Sequence, residues 1–159
     1  MNILVCISKA PDTTSKINFE ENNTKFSEAG VQFIVNPYDE WYALVRALEL
    51  KEAGGGKVSV VSVGGADYDA IIRKALAIGA DDAFRIDAVP TDSMQCASEI
   101  ATFAKDKGFD LILCGKETID YNGSNVAGMI AAILDLPFVS NAIKLDVNGS
   151  EATVERDNQ

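Results

Sequence analysis

Residues 111–128 read Leu-Ile-Leu-Cys-Gly-Lys-Glu-Thr-Ile-Asp-Tyr-Asn-Gly-Ser-Asn-Val-Ala-Gly, and the fold is read outward from this stretch. Apolar Leu111 to Cys114 form a short strand that runs into Gly115. A polar loop follows with Lys116, Asp120, Asn122, Gly123 and Ser124, and an apolar helix opens near Asn125 and runs to Leu134. Strand, glycine-bearing loop and helix start aim backbone N–H groups and a positive helix end at a cleft. That geometry suits a nucleotide phosphate.

Upstream, Thr91-Asp92-Ser93 caps a helix that carries Ile100, Phe103 and Ala104 and ends at Gly108. Before it come a short strand, Asp82 to Ile86, and a longer one, Lys57 to Val63. Gly64-Gly65 turns the longer strand into a helix with Ile71, Ile72, Ala75 and Leu76, closed by Gly79. Asn36-Pro37-Tyr38-Asp39 opens another helix. Asn36 reads as its N-cap, Pro37 as its first residue, and Asp39 and Glu40 as first-turn acids. Trp41, Leu44, Val45 and Leu48 recur at helical spacing and predict the buried face, and Gly54-Gly55-Gly56 ends the helix.

Asn2 to Ile7 is a continuous apolar run without alternation, the mark of a strand covered on both faces in a parallel sheet. Lys16 to Phe19 and Thr24 to Phe26 flank Glu20-Glu21-Asn22-Asn23 and predict a small hairpin. Downstream, Val139 to Ile143 reads as a further strand, and Lys144 to Val147 pairs with Ala152 to Arg156 around Asn148-Gly149. Strands alternating with helices predict one doubly wound α/β domain over residues 1–159. The expected architecture is a three-layer sandwich with a mainly parallel twisted sheet and small β-hairpin additions.

Composition narrows the function classes. The chain has 14 basic and 24 acidic residues and a net charge of −10, which repels nucleic acid backbones and anionic membranes. There is no apolar run of about 18 residues, so membrane insertion is not expected. The N-terminus has no basic segment ahead of its apolar run and reads as a strand instead of a secretory signal. The three cysteines, Cys6, Cys96 and Cys114, show no Cys-x-x-Cys spacing and fit a reducing, cytoplasmic setting. With 0 histidines, Ser-His-Asp and Cys-His catalysis are excluded. No pair of carboxylates stands at a spacing that assigns an acid and a base, and no metal-ligand cluster is legible.

Ligands of doubly wound folds sit at the carboxyl ends of the strands. The candidate edges are therefore Ile7 to Asp12, Asn36 to Asp39, Val63 to Gly65 and Gly115 to Val126. Gly-x-Gly-x-x-Gly and Gly-x4-Gly-Lys-Ser/Thr are both absent, which sets aside the standard dinucleotide and P-loop motifs.

Several ordered segments resemble the β subunit of electron transfer flavoprotein. Lys9-Ala10-Pro11-Asp12-Thr13 is similar to that family's Lys-x-Val-Pro-Asp-Thr. Asn36-Pro37-Tyr38-Asp39-Glu40 resembles its Asn-Pro-Tyr-Asp/Glu helix, and Arg73 to Asp81 its Arg-x-Ala-Leu-Ala-Met-Gly-Ala-Asp. Gly115-Lys116-Glu117-Thr118-Ile119-Asp120 resembles its Gly-Lys/Arg-Gln-Ala-Ile-Asp, and Glu155-Arg156-Asp157 the strand before its C-terminal segment.

The resemblance implies a sandwich of the adenine-nucleotide α-hydrolase-like (HUP) type. It also implies a heterodimer with a flavin-bearing α subunit that carries electrons from dehydrogenases to an acceptor. The β subunit would hold AMP or a second FAD and act as a carrier, not an enzyme. Pro11-Asp12-Thr13 leans toward FAD. By resemblance, nucleotide contacts fall on Cys6, on Asn36, Pro37, Tyr38 and Asp39, and on Val63. They continue along Gly115, Lys116, Glu117, Thr118, Ile119, Asp120, Tyr121, Asn122 and Gly123, with the phosphate at Ser124, Asn125 and Val126. Asn125 replaces a family Gln, and Tyr121-Asn122-Gly123 replace more acidic residues. Family members extend past residue 159 into a segment that wraps the α subunit, and its absence here is read as truncation. The alternative is a universal-stress-type ATP/AMP-binding module, whose Gly-x2-Gly-x9-Gly-Ser/Thr is met only by Gly115 and Gly123-Ser124, at the wrong spacing. An adenylating enzyme of similar architecture is the third reading.

Overall fold

The computed structural model of the chain describes residues 1–157. Its centre is a parallel sheet of β1 (Asn2–Cys6), β6 (Lys57–Val63), β7 (Asp82–Ile86) and β8 (Leu111–Cys114), in the order β7-β6-β1-β8. Sheet alternation sorts the core into two layers. Ile3, Val5, Val58 and Val60 face α1 (Asp39–Gly54) and α2 (Asp69–Ala77), where Leu44, Ala47, Ile71, Ile72 and Ala75 are buried. Leu4, Cys6, Val61 and Val63 face α3 (Ser93–Ala104) and α4 (Val126–Leu134), against Ala97, Ile100 and Ile130. Each inner strand is thus buried on successive residues because both faces are covered, with Ser59 and Ser62 the polar exceptions in β6. This is the three-layer α/β sandwich that the sequence predicts.

Between β1 and α1 the chain leaves the sheet. β2 (Lys9–Pro11) pairs antiparallel with β5 (Phe33–Val35), and β3 (Phe19–Glu20) with β4 (Lys25–Phe26). The β3–β4 hairpin is expected, with shorter strands. Glu21, Asn22 and Asn23 turn it with φ of 52°, 58° and 65°. The β2–β5 ribbon is not legible in the sequence, because its strands are too short to show a period.

Two expectations are corrected around α1. Asn36 does not cap the helix and Pro37 is not its first residue; the N-cap is Tyr38 and the helix begins at Asp39. Asn36 is instead wholly buried, with its side chain turned to the loop after β8. The buried face runs through Glu40, Leu44, Ala47 and Leu50, while Val45 is exposed. Trp41 and Leu48 pack at its margin. By contrast, Asp92 caps α3 as the sequence predicts, its carboxylate accepting from the Gln95 N–H at 2.8 Å.

Val139 to Ile143 adds no strand to the sheet. Residues 136–140 are irregular, and Ala142 and Ile143 open β9 (Ala142–Asn148), which pairs only with β10 (Glu151–Arg156). That hairpin docks on α1. The Arg46 guanidinium donates to the Leu145 carbonyl at 2.6 and 3.1 Å, and Leu145 and Val147 pack on the core.

Candidate functional site

The sequence-predicted site residues fall on strand ends, connections and helix starts: Asn36 to Tyr38 join β5 to α1, Asp39 opens α1, and Val126 opens α4. Cys6 and Val63 end β1 and β6, and Gly115 follows β8. Cys6 and Val63 are buried in the α3–α4 layer, Cys6 in register with Cys114 on the neighbouring strand. Hydrogen bonding with Cys114, then burial, holds the Cys6 thiol well above its ordinary pKa. All three cysteines are free.

The decisive join is made by Asn36. Its side-chain amide donates to the Glu117 carbonyl at 3.0 Å, and its side-chain oxygen accepts from the Ile119 N–H at 2.9 Å. Its own N–H donates to the Ser8 carbonyl at 2.9 Å. One buried residue, through its backbone N–H and its side chain, therefore connects the exit of β1, the entry of α1 and the loop after β8. Asp39 adds a second link, accepting from the Glu117 N–H at 3.3 Å. Gly115 is pressed onto α1, where an added Cβ would stand 2.6 Å from Glu40 Cγ and 2.9 Å from Glu40 N. A glycine is needed there for close approach.

The loop thus has two halves. Gly115 to Ile119 is held against α1, with only Lys116 well exposed. Asp120 to Asn125 is exposed throughout, and Tyr121 is 85% accessible. Asn122 and Ser124 adopt φ of 49° and 53°, and the Asn122 N–H donates to the Thr118 carbonyl at 2.9 Å. The Ser124 hydroxyl donates to a Glu117 carboxylate oxygen at 2.8 Å. Asn125 is the N-cap of α4 but makes no side-chain capping bond. The first-turn N–H groups of α4 are left without a side-chain cap, and such groups favour an anion.

Two cavities lie elsewhere. One of about 650 Å³ is a mostly apolar groove beside α1 and the β2–β5 ribbon, where Pro37 and Tyr38 join Phe33, Trp41, Tyr42 and Lys74. The other, about 490 Å³, lies between α3 and α4 near Phe109 and Leu136. Neither is lined by residues 115–126. The exposed half of the loop, Asp120 to Asn125, presents the candidate surface to solvent.

The sequence reading missed the groups that hold this edge together. Ser8 donates to Glu40 through its N–H at 2.6 Å and its hydroxyl at 2.8 and 2.9 Å. Glu40 is 7% exposed, and burial pushes its carboxyl up to about 8. In the sequence Glu40 is only a first-turn acid; a polar residue on an otherwise apolar stripe with Leu44 and Ala47 was the available signal. Lys9 is likewise drawn in, pairing with Asp67 and lying 3.9 Å from the Phe33 ring centre.

Among the described residues no group of His, Cys, Asp or Glu is arranged to hold a metal ion. Among the described residues no helix is long and apolar enough to cross a membrane. What the site offers is backbone donors, a few side-chain amides and an uncapped helix start.

A family model described as "Electron transfer flavoprotein domain" matches residues 23–159. The chain belongs to the electron transfer flavoprotein domain family. Within it, the chain is 38% identical over 161 residues to the electron transfer flavoprotein subunit beta of Bacillus subtilis, covering 99% of this chain and 62% of that protein. It is 36% identical to the electron transfer flavoprotein subunit beta of Megasphaera elsdenii, covering 100% of this chain and 62% of the relative. The protein FixA of Azotobacter vinelandii is 36% identical, with 98% and 58% covered. The chain thus spans about 62% of the length of the first of these curated relatives. Residues 36–40 and 115–126, joined through Asn36, both fall inside the segment matched to the electron transfer flavoprotein domain.

Proposed function

We propose that this chain is the nucleotide-binding part of an electron transfer flavoprotein β subunit and folds as a single domain. It pairs with a flavin-bearing α subunit, and the heterodimer carries electrons from dehydrogenases to an acceptor. The β chain breaks no bonds itself; the redox chemistry belongs to bound flavin. Its role is to hold an adenine nucleotide, AMP or a second FAD, with contacts from Cys6, Asn36 to Asp39, Val63 and Gly115 to Val126. The observation that carries the reading is the Asn36 bridge, which ties the two motif-bearing segments of a family member into one edge. The nucleotide lies over the exposed half of the loop, with its phosphate at Ser124, Asn125 and Val126 beside the uncapped start of α4. Three free thiols fit a reducing cytoplasm.

The test is to co-express the full-length natural protein with its genomic neighbour and purify the product. A yellow heterodimer is expected. Denaturation should release AMP or FAD from the β site, and chromatography of the supernatant tells which: AMP marks a plain carrier and a second FAD a bifurcating one. A colourless product that stays monomeric and hydrolyses ATP overturns the reading in favour of a stress-type nucleotide module.

A further inference from the structure

Glu40 is the one buried carboxylate among the described residues, and the nucleotide reading gives it no task. Its hydrogen-bond donors come from Ser8 alone, and none of them is a cation. It lies at the junction of the two strand exits that frame the site. Ser8 leaves β1, and Gly115, the first residue of the nucleotide loop, rests on the Glu40 backbone and Cγ. An isolated carboxylate in such a place is costly, whereas a neutral carboxylic acid is not.

We propose that Glu40 is a positioning residue that works as a neutral acid: uncharged, it lets the exits of β1 and β8 close beneath an anionic nucleotide, and on losing its proton it repels that anion. The inference rests on the nucleotide reading above and adds a regulation to that site. The groups that act on Glu40 are known on each element around it. Asp39 on α1 and Asp120 in the loop both resist its ionisation, after burial itself, while Ser8 eases it. Cys6 on β1 and Cys96 on α3 are the nearby thiols; Cys6 is held well above its ordinary value and Cys96 is pushed up to about 11 by burial. Cys114 on β8 stands beside Cys6. Glu40, with its carboxyl near 8, therefore ionises at lower pH than Cys6 and Cys96.

An anion bound nearby raises the Glu40 value further. Nucleotide affinity is then flat up to about pH 8 and falls beyond it, by about tenfold at pH 9.5, a usual size for coupling between two sites. AMP is a suitable probe because its phosphate is already fully ionised above about pH 7.

The experiment is calorimetric titration of AMP, and separately FAD, into the full chain at about pH 7, 8 and 9.5, for wild type and Glu40→Gln. The amide is the neutral isostere of the acid. Wild type should lose affinity above about pH 8, and Glu40→Gln should bind as tightly at pH 7 and stay flat. Wild-type affinity that does not fall, or a fall shared by Glu40→Gln, overturns the proposal and leaves the nucleotide reading standing. A Glu40→Gln chain that fails to fold or to bind at pH 7 also overturns it, since the carboxylate itself would then be required. If wild type binds neither AMP nor FAD at pH 7, the nucleotide reading falls and takes this proposal with it.

Discussion

Tyr38 carries a φ of 63° and a ψ of −98°, far from the basins that a tyrosine prefers. The conformation is close to a strained three-residue turn. The first turn of α1 holds it in place, because the Tyr42 N–H donates to the Tyr38 carbonyl at 2.7 Å. Strain of this kind persists where surrounding structure over-determines it, and here Asn36, Asp39 and Glu40 are all anchored. Tyr38 is 57% exposed, so its side chain contributes little packing. Tyr38→Gly should therefore unfold at higher urea concentration than Tyr38→Ala, by about 1 kcal/mol, although glycine is the more flexible residue. The opposite order would show that the backbone here is relaxed. None of this is legible in the sequence, where Asn36-Pro37 reads as a routine helix start.

At the scale of elements, the loop after β8 is positioned by a side chain far away in sequence, as the separation of 81 between Asn36 and Glu117 records. Removing that side chain leaves a half-buried carbonyl at Glu117 and a half-buried N–H at Ile119 without their partner. The Asn36→Ala substitution should cost about 2 kcal/mol, the usual sum for two lost bonds with unpaired partners. Its local signature is sharper: amide exchange at Glu117 to Ile119 should accelerate while the α3 amides stay protected. Uniform acceleration would mean that Asn36 serves global packing and not the loop. The helices α2 and α3 were readable because each buries a face whose spacing is written in the sequence, and β1 and β6 because both their faces are buried and their residues are mostly apolar. The β2–β5 ribbon and the rotated face of α1 were not. Short pairs show no period, and a charged residue on a buried stripe shifts the apparent face.

For the whole molecule the informative variable is pH. The Glu40 carboxyl lies at about 8 in the folded chain against an ordinary value of 4.5, with burial as the first cause. Its folded value is raised, so its stability is complete below the unfolded value and is lost as pH climbs through the folded one. In wild type, stability should decline from about pH 5 to about pH 8, by on the order of 4 kcal/mol at 1.4 kcal/mol per unit. The window is clean because the chain has 0 histidines. The carboxylates held low by bonded partners, Asp12, Asp67 and Asp81, lose their charge at more acidic pH. Guanidinium unfolding at several pH values should show the decline in wild type and its disappearance in Glu40→Gln. A decline of the same size in both would assign it to the net charge of −10 instead.

The sequence by itself determined the layer order, the strand–helix alternation and the family. Each of these rests on apolar spacing or on short contiguous motifs, which are local properties of a chain. Only the tertiary structure decided that Asn36 bridges two strand exits, that Gly115 must lie on Glu40, and that Glu40 is buried without a cation. Those facts depend on which distant segments come together: the burial that alters the Glu40 carboxyl, and the anchors that hold Tyr38 in its strained conformation, exist only once they do.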